Sequence, residues 1–212
     1  MSGYDLDTID KPRFCHYFDQ IEILRELKPK SVLIIGIGDY VLYDYLKRLG
    51  VHVKTLDNDS TLNPDFCCDI RDKEALNKIV LHFDVVIACE ILEHIQFNQV
   101  SGVLKSLSKL GRRIIVSVPY MYLRMFGKDG KFKITKNLYL ISDNGWLKTK
   151  IPYFFWIPKK YPDTDFELHK WAVGFCGYSR RKVRNMISQD YWVLREKVYY
   201  PTNAIFYILE GK

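Results

Sequence analysis

The apolar positions of this chain change period several times, and each change marks an element. Residues 31–35 form a nearly unbroken apolar run after Lys28-Pro29-Lys30, which predicts a parallel strand buried on both faces. Gly36-Ile37-Gly38 then turns the chain. Over 40–49 the apolar residues Val41, Leu42, Tyr45, Leu46 and Leu49 recur at helical spacing, and Gly50 stands where a left-handed residue ends a helix. A second strand over 51–56 runs into an acid, Asp57.

The same reading extends in both directions. Residues 4–13 read as an irregular lead-in, and 14–27 as a helix with Phe14, Tyr17, Phe18, Ile21, Ile23, Leu24 and Leu27 as its apolar positions. Residues 63–70 predict a turn and a short third strand. A short helix over 72–81 would turn Ala75, Leu76, Ile79 and Val80 inward. Residues 83–89 are a buried strand, and 97–110 a helix striped by Val100, Val103, Leu104, Leu107 and Leu110, with Gly111 as its stop. A fifth strand over 112–118 closes at Pro119. This alternation predicts a parallel sheet with right-handed crossovers.

Regularity is lost over 120–162, which is aromatic and basic. Asp143-Asn144-Gly145 between 138–141 and 146–147 signals a hairpin. Residues 151–158 are too apolar to be left in water. A long insertion after the fifth strand, at the edge of the sheet where open α/β folds bind ligands, reads as a functional cap. Ser179 caps a helix to Gln189, and 191–200 with 203–209 predict an antiparallel pair. The whole chain, 1–212, reads as one domain with a basic aromatic insertion at about 120–165.

Chemistry enters at the first turn. Glycine lacks the Cβ that would collide with a ligand at the start of a helix, and Asp57 follows Gly36 by 21 positions, close to the spacing of about 20 for an acid that binds ribose. A nucleoside cofactor is one reading, and a plain strand-to-helix turn is the other. A dinucleotide site requires a further small residue where this chain has Val41.

Composition narrows the class. The apolar fraction of 48% suffices for an ordinary core, and no run reaches the roughly 18 apolar residues of a membrane span. The N-terminus lacks a basic-then-apolar leader pattern, so a soluble cytoplasmic protein is expected. The five cysteines lack metal-ligand spacing; they are expected to be reduced and mostly buried, Cys67 and Cys68 facing opposite ways, and no metal is expected. The net charge of +7 is concentrated: residues 121–160 carry nine basic residues against Asp129 and Asp143.

Four places together resemble the class I S-adenosylmethionine-dependent methyltransferases of the small biosynthetic kind. They are the V-L-x-I-G-x-G turn at 32–38, Asp57 at a strand end, Asp69 followed by Ile70, and the run Phe83-Asp84-Val85-Val86 continued by Glu90, Leu92, Glu93 and His94. The likeness covers 14–120 and resumes weakly over 169–189. It implies a Rossmann-like seven-stranded, mostly parallel sheet with a terminal antiparallel hairpin and helices on both faces. It also implies an S-adenosyl-L-methionine site: Gly36 and Gly38 along the methionine and ribose, Asp57 with Asn58 at the ribose hydroxyls, Asp69 and Ile70 at the adenine, and Cys89 and Glu90 under the sulfonium. Two positions depart from the family. Ile34 stands where an acid is common, and Tyr40 replaces the third glycine, where it either crowds the turn or covers the ligand.

The resemblance implies methyl transfer, in which a base is needed only if the acceptor must lose a proton. His169 and His94 are the leading candidates for it, with Glu90 and Glu93 behind them. The tetrad that a DNA amino-methyltransferase shows after its fourth strand is replaced by Cys89-Glu90-Ile91-Leu92. The basic insertion suits an anionic small molecule, RNA or anionic lipid, and the small anionic metabolite is preferred because the likeness is to biosynthetic enzymes. The rival readings are a cofactor-binding protein without turnover and an NAD-linked oxidoreductase.

Overall fold

The protein structure, a computed structural model, describes residues 10–120, 133–134, 138–139, 169–175, 177–199 and 202–212. Its order is α1 (Lys11–Leu27), β1 (Ser31–Ile35), α2 (Val41–Arg48), β2 (His52–Asp57), β3 (Phe66–Cys67), α3 (Lys73–Asn77), β4 (Phe83–Cys89), α4 (Phe97–Leu107), β5 (Gly111–Pro119), β6 (Lys133–Ile134), β7 (Leu138–Tyr139), α5 (Arg180–Ile187), β8 (Tyr191–Tyr199) and β9 (Ala204–Gly211). Seven strands form one sheet in the order β3-β2-β1-β4-β5-β9-β8. The first five pair in parallel, and β9 joins β5 and β8 antiparallel.

Why 32–35 is apolar throughout follows from the strand's period of two. Val32 and Ile34 face one core with Ile23 and Leu24 of α1, Leu42 and Leu46 of α2, and Phe206. Leu33 and Ile35 face the other, with Leu104 and Leu107 of α4 and Val183 of α5. Both faces are therefore closed by helices, as a mostly parallel sheet requires. The edge strand β8 is protected differently. It alternates exposed residues and carries a register break between Val193 and Arg195, and Arg195 and Lys197 pair with Glu26 and Glu22 of α1 at 2.5 and 3.1 Å.

Several boundaries differ from the sequence reading. The helix α1 begins at Lys11 rather than after Arg13, because Asp10 caps it by accepting the Arg13 amide at 2.8 Å and Pro12 fits its first turn. Phe14 and Phe18, expected on its apolar side, are exposed. The helix α3 is only five residues long, so Val80 falls beyond it and is 92% exposed instead of turned inward. Gly111 does not stop α4 but starts β5. There a Cβ would meet Val86 Cγ2 at 2.6 Å and the Phe83 carbonyl at 3.0 Å, so the requirement is close packing against β4.

In the insertion, Leu138–Tyr139 pairs with Lys133–Ile134 upstream. The hairpin expected about Asp143-Asn144-Gly145, the apolar run over 151–158 and most of the basic residues lie outside the described residues. Cys15, Cys68 and Cys89 are half-buried free thiols and Cys67 is exposed on the two-residue strand β3, a correction to the expectation of mostly buried cysteines; Cys176 lies outside the described residues. Among the described residues no helix is long and apolar enough to cross a membrane.

Candidate functional site

Strand order reverses between β1 and β4, and at that point the C-terminal ends of an open α/β sheet diverge to leave a crevice. Here the crevice is a cavity of about 980 Å³, lined by the turn after β1, the ends of β2 and β4, the start of α1 and residues His169 and Lys170. Its floor is the glycine turn. Gly36 has φ +77°, and a Cβ there would come within 2.3 Å of the Ile91 side chain; Gly38 has φ +63°. Asp57 spans this turn: one carboxylate oxygen accepts the Ile37 amide at 2.9 Å and the other the Asp59 amide at 3.0 Å.

The two departures from the family pattern are placed by the same geometry. Ile34 is buried and lines the cavity. Tyr40, at φ 64°, lies outside the cavity lining, where its hydroxyl donates to the Leu62 carbonyl. Its ring packs edge-on against Tyr43, with centroids 5.9 Å apart. An acid is nevertheless present in the turn. Asp39 accepts from the Tyr17 hydroxyl at 2.5 Å and from the Val41 amide at 3.3 Å, tying α1 to the first turn of α2.

A second group of polar residues spans the end of β4. Gln20 donates its amide to His16 Nδ1 at 2.9 Å, which leaves the hydrogen on Nε2 facing Ser117 Oγ at 3.0 Å. Ser117 in turn donates to Glu90 at 2.8 Å. Enclosure by protein opposes ionisation of Glu90, but the bonds from His16 and Ser117 outweigh it and hold the carboxyl below its usual range. Glu93 behaves oppositely. It is completely buried, and burial together with the Glu90 charge drives its carboxyl well above the usual value.

Beyond Glu93 lie the two histidines. The His94 and His169 rings are 4.9 Å apart at 75°, and His169 Nε2 is 3.9 Å from Glu93 Oε1. His169 comes from far along the chain but is held by backbone. The Lys170 amide donates to the Glu93 carbonyl at 2.6 Å, and Trp171 Nε1 donates to the carbonyls of Leu92 and Ile95 at 3.1 and 3.2 Å.

No protein-family model matches this chain, and no curated protein matches it in sequence. Solved structures do match. The methyltransferase domain of the bacterial CtHen1-CN superposes with a TM-score of 0.58 at 12% identity, covering 94% of this chain and 100% of that one. An S-adenosylmethionine-dependent methyltransferase from Clostridium acetobutylicum ATCC 824 gives 0.56 at 14% identity, covering 96% and 92%. Magnesium protoporphyrin IX methyltransferase (ChlM) from Synechocystis PCC 6803 with bound SAH gives 0.55 at 15% identity, covering 100% and 89%. The chain has the class I methyltransferase fold.

Within that methyltransferase fold the ten residues singled out from sequence, Gly36, Gly38, Asp57, Asn58, Asp69, Ile70, Cys89, Glu90, His94 and His169, all line the one cavity. Asp69 is held at its edge by Arg71, whose guanidinium bond is the main cause of the carboxylate's lowered pKa. Desolvation by the surrounding protein raises the pKa of the half-buried Cys89 thiol, so it is a neutral group in the cavity wall. Sequence reasoning left Ser117, Asp39 and Gln20 unremarked. The signal for Gln20 was there, since it follows His16 by one helical turn; Ser117 within an apolar strand was the signal for a buried polar partner.

Proposed function

We propose that the protein is an S-adenosylmethionine-dependent methyltransferase acting on a small, anionic acceptor. The observation that carries this reading is the convergence of the glycine turn, Asp57, Asp69 and Glu90 on one cavity at the strand-order reversal. At about 980 Å³ it is at the upper end of ligand-site volumes, which suits a nucleoside cofactor together with a small acceptor.

In this reading the cofactor lies over Gly36 and Gly38 with its ribose at Asp57 and Asn58 and its adenine beside Asp69 and Ile70. Its sulfonium lies near Cys89 and Glu90, where the ionised carboxylate complements the positive charge. The acceptor enters from the side of His94 and His169, and Arg13 and Lys170 on the cavity wall favour an anion. The acceptor's lone pair attacks the methyl carbon in line, the carbon–sulfur bond breaks, and its electron pair returns to sulfur to leave neutral S-adenosylhomocysteine. If the acceptor is a hydroxyl, its proton departs toward the histidine side. Most of the rate comes from alignment and the exclusion of water.

Calorimetry of the purified chain with S-adenosylmethionine, S-adenosylhomocysteine and NAD tests the cofactor, and a labelled-methyl screen over pooled metabolites and RNA tests the acceptor. Binding of the first two and label in the metabolite pool are expected. NAD binding alone would overturn the reading, label in RNA would replace the acceptor class, and binding without transfer would favour the cofactor-binding protein.

A further inference from the structure

The cysteines of this chain lack metal-ligand spacing, and no metal is expected from them. The cavity suggests otherwise. Glu93, His94 and His169 each bring one ligand atom to a common point, all within 4.8 Å of one another. Glu93 is fully buried, and its polar neighbours there are a second carboxyl, Glu90, and His169 Nε2 at 3.9 Å from its Oε1. Two carboxyls in contact cannot both ionise cheaply when one is buried, and a cation beside them offsets that cost.

We infer that Glu93, His94 and His169 form a binding site for a first-row divalent cation at the acceptor end of the cavity. Two imidazoles and one carboxylate make a borderline donor set, suited to zinc, manganese or cobalt rather than to magnesium or calcium, which prefer oxygen throughout. Glu90 stands outside the set because its carboxylate is taken up by Ser117 and His16. Ligand atoms bound at about 2.1 Å lie roughly 3 to 3.5 Å apart, so the three side chains close by about an ångström on binding. His169, at 31% exposure, has room to do this.

The arrangement is held as a metal site requires. The turn carrying Glu93 and His94 and the segment carrying His169 are joined by the Lys170 amide on the Glu93 carbonyl and by the Trp171 indole on the carbonyls of Leu92 and Ile95. The third ligand is thereby fixed against the first two before any ion arrives. Three protein ligands leave positions open, and since His94 and His169 line the cavity those positions take an oxygen of the acceptor. With both imidazoles on the ion, a proton lost by a hydroxyl acceptor leaves to solvent on the histidine side of the cavity rather than to either ring.

The test uses the full chain stripped with EDTA and titrated with cobalt(II), followed by visible absorption. One equivalent is expected to bind with ligand-field bands of a nitrogen and oxygen environment. His169→Ala and Glu93→Gln are each expected to weaken binding at least about tenfold, while the thermal midpoint of His169→Ala in EDTA matches that of the parent. No cobalt spectrum, or equal affinity in parent and His169→Ala, would overturn the site. Thiolate charge-transfer bands would do so too, by placing the ion on cysteine. Calorimetry of S-adenosylhomocysteine on the stripped protein reads the cofactor proposal separately, so either can fail alone.

Discussion

The carboxylate of Asp57, at the last position of β2, accepts the amide of Ile37 at 2.9 Å, between the two glycines of the turn after β1. Strand end and turn are thus coupled through one side chain. A carboxylate has about four acceptor sites; the amides of Ile37 and Asp59 use two, which leaves two for the hydroxyls of a ribose. Asp57→Ala removes both functions and is expected to weaken S-adenosylhomocysteine binding by about 1 to 3 kcal/mol. Asp57→Asn, which keeps one acceptor oxygen, should fall between. Titration calorimetry gives the answer, and unchanged affinity in the alanine variant would take Asp57 out of the cofactor site.

Two glycines, one inside α4 and one at the start of β5, should respond oppositely to alanine. At Gly111 the added methyl meets the Phe83 carbonyl at 3.0 Å and Val86 Cγ2 at 2.6 Å, and the carbonyl belongs to the sheet and cannot yield. Gly111→Ala should therefore destabilise by about 1 to 3 kcal/mol. Gly102 lies inside α4, and an added methyl there would meet nothing within 4 Å. Gly102→Ala should stabilise by about 0.5 to 1 kcal/mol through helix propensity alone. Urea unfolding of the two variants decides; the packing argument fails if both move the same way.

The contrast shows what a sequence carries and what it hides. Buried strands were legible because both faces of β1 and β4 are closed, so Val32 to Ile35 and Val85 to Ala88 run without a polar residue. Asp57 was legible because its distance from Gly36 is set by the length of one βαβ unit. Gly111 was misread because a glycine after a helical stripe is the usual stop, and only the approach of β4 shows the other requirement. The cap Asp10 and Pro12 were available as a helix start and were passed over for the apolar residues further on. The burial of Glu93 could not be read at all. An acid among acids and a histidine resembles surface, and it is the segment carrying Trp171, 78 residues later, that covers it.

That covering segment makes a third prediction. The indole of Trp171 is almost completely buried and donates to the carbonyls of Leu92 and Ile95, so it joins the two halves of the histidine cluster. Trp171→Phe keeps most of the ring and removes only the donor, leaving two buried carbonyls without it. A loss of about 1 to 3 kcal/mol in unfolding free energy is expected. Because His169 is two positions away, the variant should also lose turnover on whatever acceptor the methyl screen identifies, more than it loses affinity for S-adenosylhomocysteine. Full turnover in a destabilised variant would separate the covering segment from the chemistry.

The last prediction concerns pH. Asp19 in α1 is nearly buried beside Thr202, whose hydroxyl donates to it at 3.3 Å, and burial raises its carboxyl from 3.8 to about 6 in spite of that bond. The folded chain therefore favours the protonated form. The contribution of Asp19 to stability is complete below about pH 4, where folded and unfolded chains both carry the proton. It is lost as pH rises through 6, because the unfolded chain ionises first. Asp19→Asn keeps an acceptor for Thr202 and cannot ionise, so it should match the parent near pH 4 and exceed it near pH 8. A difference of about 2 in pKa corresponds to at most about 3 kcal/mol, and relaxation of the partly open site brings the expected gain nearer 1. Urea unfolding at the two pH values measures it. A gain of equal size at both would locate the effect in packing, and no gain at pH 8 would mean that the carboxylate is better solvated in the folded chain than its burial indicates.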